Sequence, residues 1–284
     1  MEVKKLLIDG DIILYRAAFA CQKKETIVSF PDGEGERRFD KMWVASQWFR
    51  DNYLGYEFKE YVRQEPVLQD PELMETIVHS IMMNITDNTL CQDYEIYLTG
   101  KGNYRDKIAV THGYKANRKD IDKPILYNEA KQHLIDMWCA TVVNEMEADD
   151  MLGIQQRNDT CICTIDKDLD MVPGWHYDFV KEDMYNVSPT EADFAFYRQV
   201  LTGDDTDNIK GLHGIGPVRA LKILDKADPD NVWPTIYEAY QKQFGEQAYD
   251  RMIENGKLLW ILRGEGEYWT GPSEEQCIKS ASEN

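Results

Sequence analysis

No apolar run in the 284-residue chain approaches the ~20 residues that a membrane span needs. The stretch Met1–Asp9 is apolar only briefly before an aspartate, so it does not read as a signal peptide. Six cysteines, at 21, 91, 139, 161, 163 and 277, include no Cys-x-x-Cys pair. This excludes a thiolate zinc set and fits reduced thiols in a cytoplasm. The five histidines, at 79, 112, 133, 176 and 213, make no pair at metal-ligand spacing. There is no Gly-x-x-x-x-Gly-Lys-Ser/Thr loop, which removes the P-loop nucleotidases. Positive charge is scarce as well: 32 Lys and Arg stand against 51 Asp and Glu, a net charge of −19. Taken alone, that argues against a nucleic-acid partner, because duplex binding rests on basic groups at phosphates. The charge is uneven, however. Between Lys101 and Lys123 seven Lys or Arg face three Asp.

What the chain has in excess is carboxylate, and it is concentrated. Eight Asp or Glu fall between Glu145 and Asp170, with only Arg157 and Lys167 among them. Like charges at this density repel unless neutralised, and hard divalent cations such as Mg²⁺ or Mn²⁺ favour such oxygens. A solvated acidic helix face is the bland alternative. Against it, Asp149 and Asp150 sit among Met146, Ala148, Met151 and Leu152, and Asp166 and Asp168 end the apolar run Cys161–Ile165. Both places put acid beside a core, where unpaired charge is costly. Asp9 likewise ends the run Leu6-Leu7-Ile8, with Asp11 two residues on.

Short apolar runs at Leu6–Ile8, Tyr94–Leu98, Ala140–Val143 and Cys161–Ile165 predict buried strands. Helices are predicted at 12–21, 40–53, 70–85, 127–138 and 147–156, with Asp40 and Asp70 as caps. A hairpin is predicted over 26–39, around Pro31–Gly35. Alternation of this kind means an α/β fold with a mainly parallel central sheet and helices on both faces. Ligands then gather beyond the carboxyl ends of the strands, where Asp9, Thr99, Glu147 and Asp166 fall. After Pro189 the pattern becomes helical, over 191–202, 216–226 and 232–244. The expected division is 1–188, an α/β core, and 189–284, a helical region.

The most specific string is Leu201–Ala220, LTGDDTDNIKGLHGIGPVRA. Gly214-Ile215-Gly216 reads as a tight turn entering a helix at Pro217, with backbone N–H groups aimed at a phosphate. Arg219 and Lys222 add charge to the first turns. Asp204 and Asp207, three apart, could lean toward the other acids. Lys115 and Arg118 would share a face if His112–Arg118 were helical.

Together these strings resemble the 5′-nuclease, or flap endonuclease, family of bacteriophage 5′→3′ exonucleases and the nuclease domain of bacterial DNA polymerase I. The resemblance covers about Lys5–Gly10, Tyr94–Arg118, Val143–Asp170 and Leu201–Lys222, in family order. It implies a PIN-like core and a metal set of Asp9, Glu147, Asp149, Asp150, Asp166, Asp168, Asp204 and Asp207, holding two Mg²⁺ or Mn²⁺. It implies catalytic roles for Tyr114, Lys115 and Arg118 at the base of a helical arch near 101–123. It makes Gly214, Ile215 and Gly216, with Arg219 and Lys222, a helix-hairpin-helix DNA grip that also holds K⁺. The partner implied is DNA with 5′ ends, flaps or nicks, with RNA–DNA duplexes also open. The protein would be a monomer without a membrane role, in the host cytoplasm if phage-encoded. Two departures stand out. Thr99 occupies the position where the family has an Asp, which puts the first metal in question, with Asp11 or Asp106 as substitutes. Residues 22–90 exceed a compact member and would form an added surface. Two rivals follow from the same residues. Asp9-Gly10-Asp11 loosely matches a haloacid-dehalogenase-like phosphatase, and Thr99 suits a non-catalytic DNA-structure binder.

Overall fold

A computed structural model describes residues 3–118, 122–227 and 232–278. In chain order the elements are β1 (Lys5–Asp9), α1 (Gly10–Ala20), β2 (Gln22–Ser29), β3 (Glu36–Phe39), α2 (Met42–Asn52), α3 (Phe58–Tyr61), β4 (Val62–Leu68), α4 (Leu73–Thr89), β5 (Tyr94–Thr99) and α5 (Arg105–Ile108). There follow α6 (Tyr127–Trp138), β6 (Thr141–Val143), α7 (Ala148–Gln155), β7 (Thr160–Cys163), β8 (Gly174–Asp178), β9 (Asp183–Val187) and α8 (Pro189–Thr202). The last are β10 (Gly203–Asp204), β11 (Ile209–Lys210), α9 (Pro217–Leu224), α10 (Val232–Phe244), α11 (Ala248–Leu259) and α12 (Glu274–Ile278).

The chain divides into two compact units. The first comprises residues 1–12, 83–121 and 138–284 and contains a six-stranded sheet in the order β6-β5-β1-β7-β8-β9. Every pairing is parallel except β8 with β9. The order reverses at β1, which pairs with β5 on one side and β7 on the other. This is the place where an open α/β sheet forms a crevice. Leu7, Tyr97 and Ile162 pack beneath Ala148 and Leu152 of α7. The opposite face carries Cys163 in register with Tyr177, and the Tyr177 hydroxyl meets Asn84 and Asn88 in the second half of α4. Helices therefore cover both faces, as predicted.

The expected boundary at 188/189 does not separate compact bodies. Phe196, Val200, Ile236, Tyr240 and Met252 of the helical region share one apolar core with Tyr114 and Met171. The helices cannot bury their faces without residues from the earlier part of the chain. The second unit is instead 13–82 with 122–137. It contains the antiparallel sheet β3-β2-β4, with Val28, Ala45 and Phe49 at the centre of an aromatic cluster. The hairpin of β2 and β3 is where the sequence places it. The extra length in 22–90 is thus a small αβ body. Asp40 does not cap α2; the position belongs to Lys41, without a side-chain cap. Asp70 accepts from the Glu72 N–H just before α4 begins.

Between Lys101 and Arg118 the described residues form two single helical turns, α5 and Ala116–Arg118, not a continuous helical arch. Gly113 and Lys115, the latter at φ +50°, interrupt any longer helix. Residues 119–121 of the expected arch lie outside the described part.

Candidate metal and phosphate site

Parallel strands deliver carboxylates to one edge of the sheet. Asp9 ends β1 and is buried. Its oxygens accept from the Ile12 N–H at 3.2 Å and the Thr164 hydroxyl at 2.8 Å. Glu147 precedes α7 and Asp149 lies in its first turn. Asp166 follows β7 and caps a short 3-10 helix by accepting from the Asp168 N–H at 2.9 Å. Asp168 accepts from the Gln199 amide at 3.0 Å. Asp204 lies in β10, and its carboxylate turns the loop by accepting from the Thr206 N–H at 2.7 Å. Asp207 follows in that loop.

Their electrostatics show that these acids crowd one another. Burial first, then Asp11 and Asp166, pushes the Asp9 carboxyl up to about 7. Burial, then Asp166, Asp204 and Asp207, does the same for Asp168, again to about 7. Asp149 is pushed well above the usual carboxylate range by burial, then by Asp9, Glu147 and Asp166. Asp166 acts electrostatically on Asp9, Asp149 and Asp168 alike, so the set is one cluster with two lobes. Asp9 and Asp149 form the first, and Asp168, Asp204 and Asp207 the second. Glu147, Asp149, Asp168, Asp204 and Asp207 line a common cleft of about 30 Å³, room for about one water.

Three groups predicted at the arch base close over this cluster. Lys115 pairs with Glu147 and, at 3.6 Å, with Asp207. Tyr114 donates to Asp207 at 2.8 Å and Glu147 at 3.1 Å. Arg118 donates to Asp207 at 2.6 Å. Burial works against the Lys115 ammonium, but Glu147 and Asp207 outweigh it and hold the pKa above the ordinary lysine value. The Lys115 N–H also bonds the Asp207 carbonyl at 2.9 Å, which fixes this backbone against the acidic loop. Among the described residues, no group of three or more His, Cys, Asp or Glu is already drawn together as a metal cage. Glu147 and Asp207 are held by cationic side chains instead.

Asp150 does not join the cluster. Its carboxylate forms a fully buried bidentate pair with Arg105, at 2.6 and 2.8 Å, and accepts from the Glu147 and Leu262 N–H groups. Arg105 also donates to the Leu258 and Trp260 carbonyls. No spacing rule could have paired residues 45 apart. Sequence reasoning missed Asn103, whose amide donates to Glu147 at 3.0 Å, and Thr164 and Gln199, for the same reason. Thr99 does not face the acids as a ligand either. Its hydroxyl accepts from the Ala148 N–H at 3.0 Å, capping α7. Its own N–H is bound by Asp11, at 3.1 and 3.2 Å. Asp11 is therefore held at the end of β5, whereas Asp106 lies exposed on α5.

Gly214–Gly216 form an exposed turn leading into α9, with Gly214 at φ +73° and Pro217 opening the helix. Arg219 donates back to the Gly214 carbonyl at 2.7 Å, and Lys222 is exposed one turn on. The preceding helix, α8, is separated from this turn by the pair β10 and β11.

No protein-family model matches the chain. Over 225 residues it is 26% identical to an exonuclease of Escherichia phage T7, and 25% identical to an exodeoxyribonuclease of Enterobacteria phage T3. Each comparison covers 74% of this chain and 63% of the relative's length. The fold is shared with the T5 D15 protein co-crystallised with metal ions, at a TM-score of 0.54 and 13% identity over 90% of this chain and 89% of that one. It is shared too with T5 5′-exonuclease carrying zinc, at a TM-score of 0.51 and 14% identity over 90% and 86%. The chain is similar to the phage exonucleases over these 225 residues and shares the fold of the T5 5′-exonuclease.

Proposed function

We propose that this protein is a Mg²⁺- or Mn²⁺-dependent 5′ nuclease that hydrolyses DNA phosphodiesters near 5′ ends, leaving 5′-phosphate and 3′-hydroxyl products. The observation that carries this reading is the two-lobed acid cluster with Lys115, Tyr114 and Arg118 over it. The donor set fits hard divalent ions: carboxylates only, with the Asp9, Asp149 and Asp168 anions destabilised by burial and by neighbouring acids. Asp9, Glu147, Asp149 and Asp166 would hold one ion, with Asp11 supplying the charge that Thr99 lacks. Asp168, Asp204 and Asp207 would hold a second. Such ions supply an activated water and stabilise the leaving oxygen.

The chain's own groups do the rest. Lys115 and Arg118 offer positive charge where a scissile phosphate enters, and Tyr114 orients Glu147 and Asp207. Thr164 and Gln199 hold Asp9 and Asp168 in place. The Gly214–Gly216 turn, with Arg219 and Lys222, would grip the DNA backbone without reading sequence. The phage relatives are themselves named exonucleases, which supports the same substrate class. A phosphatase reading loses ground because α1 begins at Gly10, leaving no loop between Asp9 and Asp11.

Changing Asp166 and Asp168 together to Asn should lower Mg²⁺-dependent cleavage of an end-labelled 5′-flap duplex by on the order of 100-fold or more. Binding of the same duplex in EDTA should persist. Undiminished cleavage would remove the metal assignment, and metal-independent binding without any cleavage in the unaltered protein would favour the non-catalytic reading.

A further inference from the structure

Within the first unit, a cleft of about 210 Å³ opens between the loop carrying His112, the segment from Lys210 to His213, and α11 with the end of α10. Among the described residues that line it, none is acidic. That is notable in a chain of net charge −19. It presents Arg251, two histidines and Lys210, the last already paired with exposed Asp205 at 2.6 Å.

The walls are pinned. Gln243 clamps His213 from both sides, accepting from its N–H at 2.8 Å and donating to its carbonyl at 3.0 Å. Buried Asn255 donates to the Lys210 carbonyl at 2.9 Å. The Glu254 carboxylate accepts from the Val110 and Thr111 N–H groups at 2.8 and 2.7 Å, fixing the backbone just ahead of His112. Asn208 donates to the Gly113 carbonyl at 2.9 Å just behind it. The Arg251 guanidinium lies over the Phe244 ring, 5.4 Å from its centre, so its planar fork is oriented in advance. A guanidinium oriented in advance, beside two histidines on pinned backbone and with Asp205 engaged at Lys210, suits an anion with several acceptor oxygens, and a planar guanidinium matches phosphate.

We propose that this cleft is a backbone-phosphate subsite for duplex DNA, formed by Arg251, His213 and His112 beside the Gly214–Gly216 turn. It rests on the nuclease reading given above. His213 directly precedes that turn, and His112 lies three residues before Lys115. The subsite would therefore join the turn that grips the duplex to the loop that closes over the acids. Each side of the cleft is held by hydrogen bonds to one of those two loops, so a phosphate seated there fixes their relative register.

The test is fluorescence anisotropy of a labelled 5′-flap duplex with the full chain in EDTA, over a range of salt. Arg251→Gln should bind roughly five- to tenfold more weakly, with the slope of log affinity against log salt reduced by about one phosphate contact. Arg251→Lys should regain the slope. Arg251 packs on Phe244, so His213→Gln on the exposed loop serves as a second variant, with thermal melting as the folding check. It should also weaken binding. Inorganic phosphate should compete for DNA more effectively with the wild type than with Arg251→Gln. Unchanged affinity and slope in both folded variants would overturn the subsite and leave the nuclease reading standing. Phosphate binding lost in the variants without weaker DNA binding would assign the cleft to a free anion and overturn it too. A wild type that binds no DNA would overturn both.

Discussion

Two neighbouring aspartates in α7 have opposite fates. Asp149 is raised in pKa by burial and by Asp9, Glu147 and Asp166, which outweigh Lys115. Asp150 is satisfied by Arg105 and by two backbone N–H groups. Removing one partner of such a buried pair leaves an uncompensated charge and costs about 3–5 kcal/mol. Asp150→Asn should therefore lower the urea midpoint in EDTA strongly, while Asp149→Asn should be no less stable than the wild type and should lose its response to Mn²⁺. The reverse order in chemical denaturation would place Asp150 among the metal ligands. Most site positions were legible because a carboxylate ending an apolar run marks a strand end. Asp9, Asp166 and Asp168 all follow that rule. Asp150 reads identically in sequence, and only its distant partner Arg105 separates it from Asp149. Thr99 was legible as a departure, but its service as a cap on α7 depends on a contact 49 residues away.

Strands and helices around the acids appeared where apolar runs and caps predicted them, and α6 and α10 match to the residue. Several elements escaped notice because local signals pointed elsewhere, among them the β8–β9 hairpin and α11. The hairpin of β8 and β9 spans Gly174–Val187, and its second strand, Asp183–Val187, is polar enough to resemble a linker. Helix α11 contains Gly256, a poor helix former, yet an added Cβ there would lie 2.2 Å from the Trp269 ring. Tertiary crowding, not propensity, sets that residue. The same reasoning gives a test within α7, the element that carries Asp149 and follows Glu147. A Cβ at Gly153 would stand 2.2 Å from the Leu262 carbonyl oxygen and 3.2 Å from Ile261 and Val172 side-chain carbons. Backbone cannot yield as a flexible side chain does. Although alanine favours helix, Gly153→Ala should destabilise by about 1–3 kcal/mol, as overpacking does. A higher thermal midpoint for this variant would mean that α7 does not press on the Ile261–Leu262 segment.

At the scale of the molecule, excess negative charge is a coupled variable of pH and metal. Asp9 and Asp168 titrate near 7 when folded, against 3.8 as the ordinary value. The folded chain therefore takes up these protons at a pH where the unfolded chain does not. Their contribution to stability is fully present below about pH 3.8 and is lost as pH rises through 7. Carboxyls held low by cationic partners, such as Asp178 beside Lys181, act in the opposite sense, so the comparison must isolate the pair. In EDTA, the double variant Asp9→Asn/Asp168→Asn should exceed the wild type in stability most clearly at pH 8, with the difference closing toward pH 4. A divalent ion replaces the same protons, so its binding weakens as they return. Saturating Mn²⁺ at a hundredfold excess over its dissociation constant is worth about 2.7 kcal/mol. The Mn²⁺-induced rise in thermal midpoint should be large at pH 8, smaller at pH 5.5, and nearly absent in the double variant. An equal rise in all three, measured by calorimetry, would show that the ion binds away from these carboxylates and that their mutual repulsion does not serve to hold it.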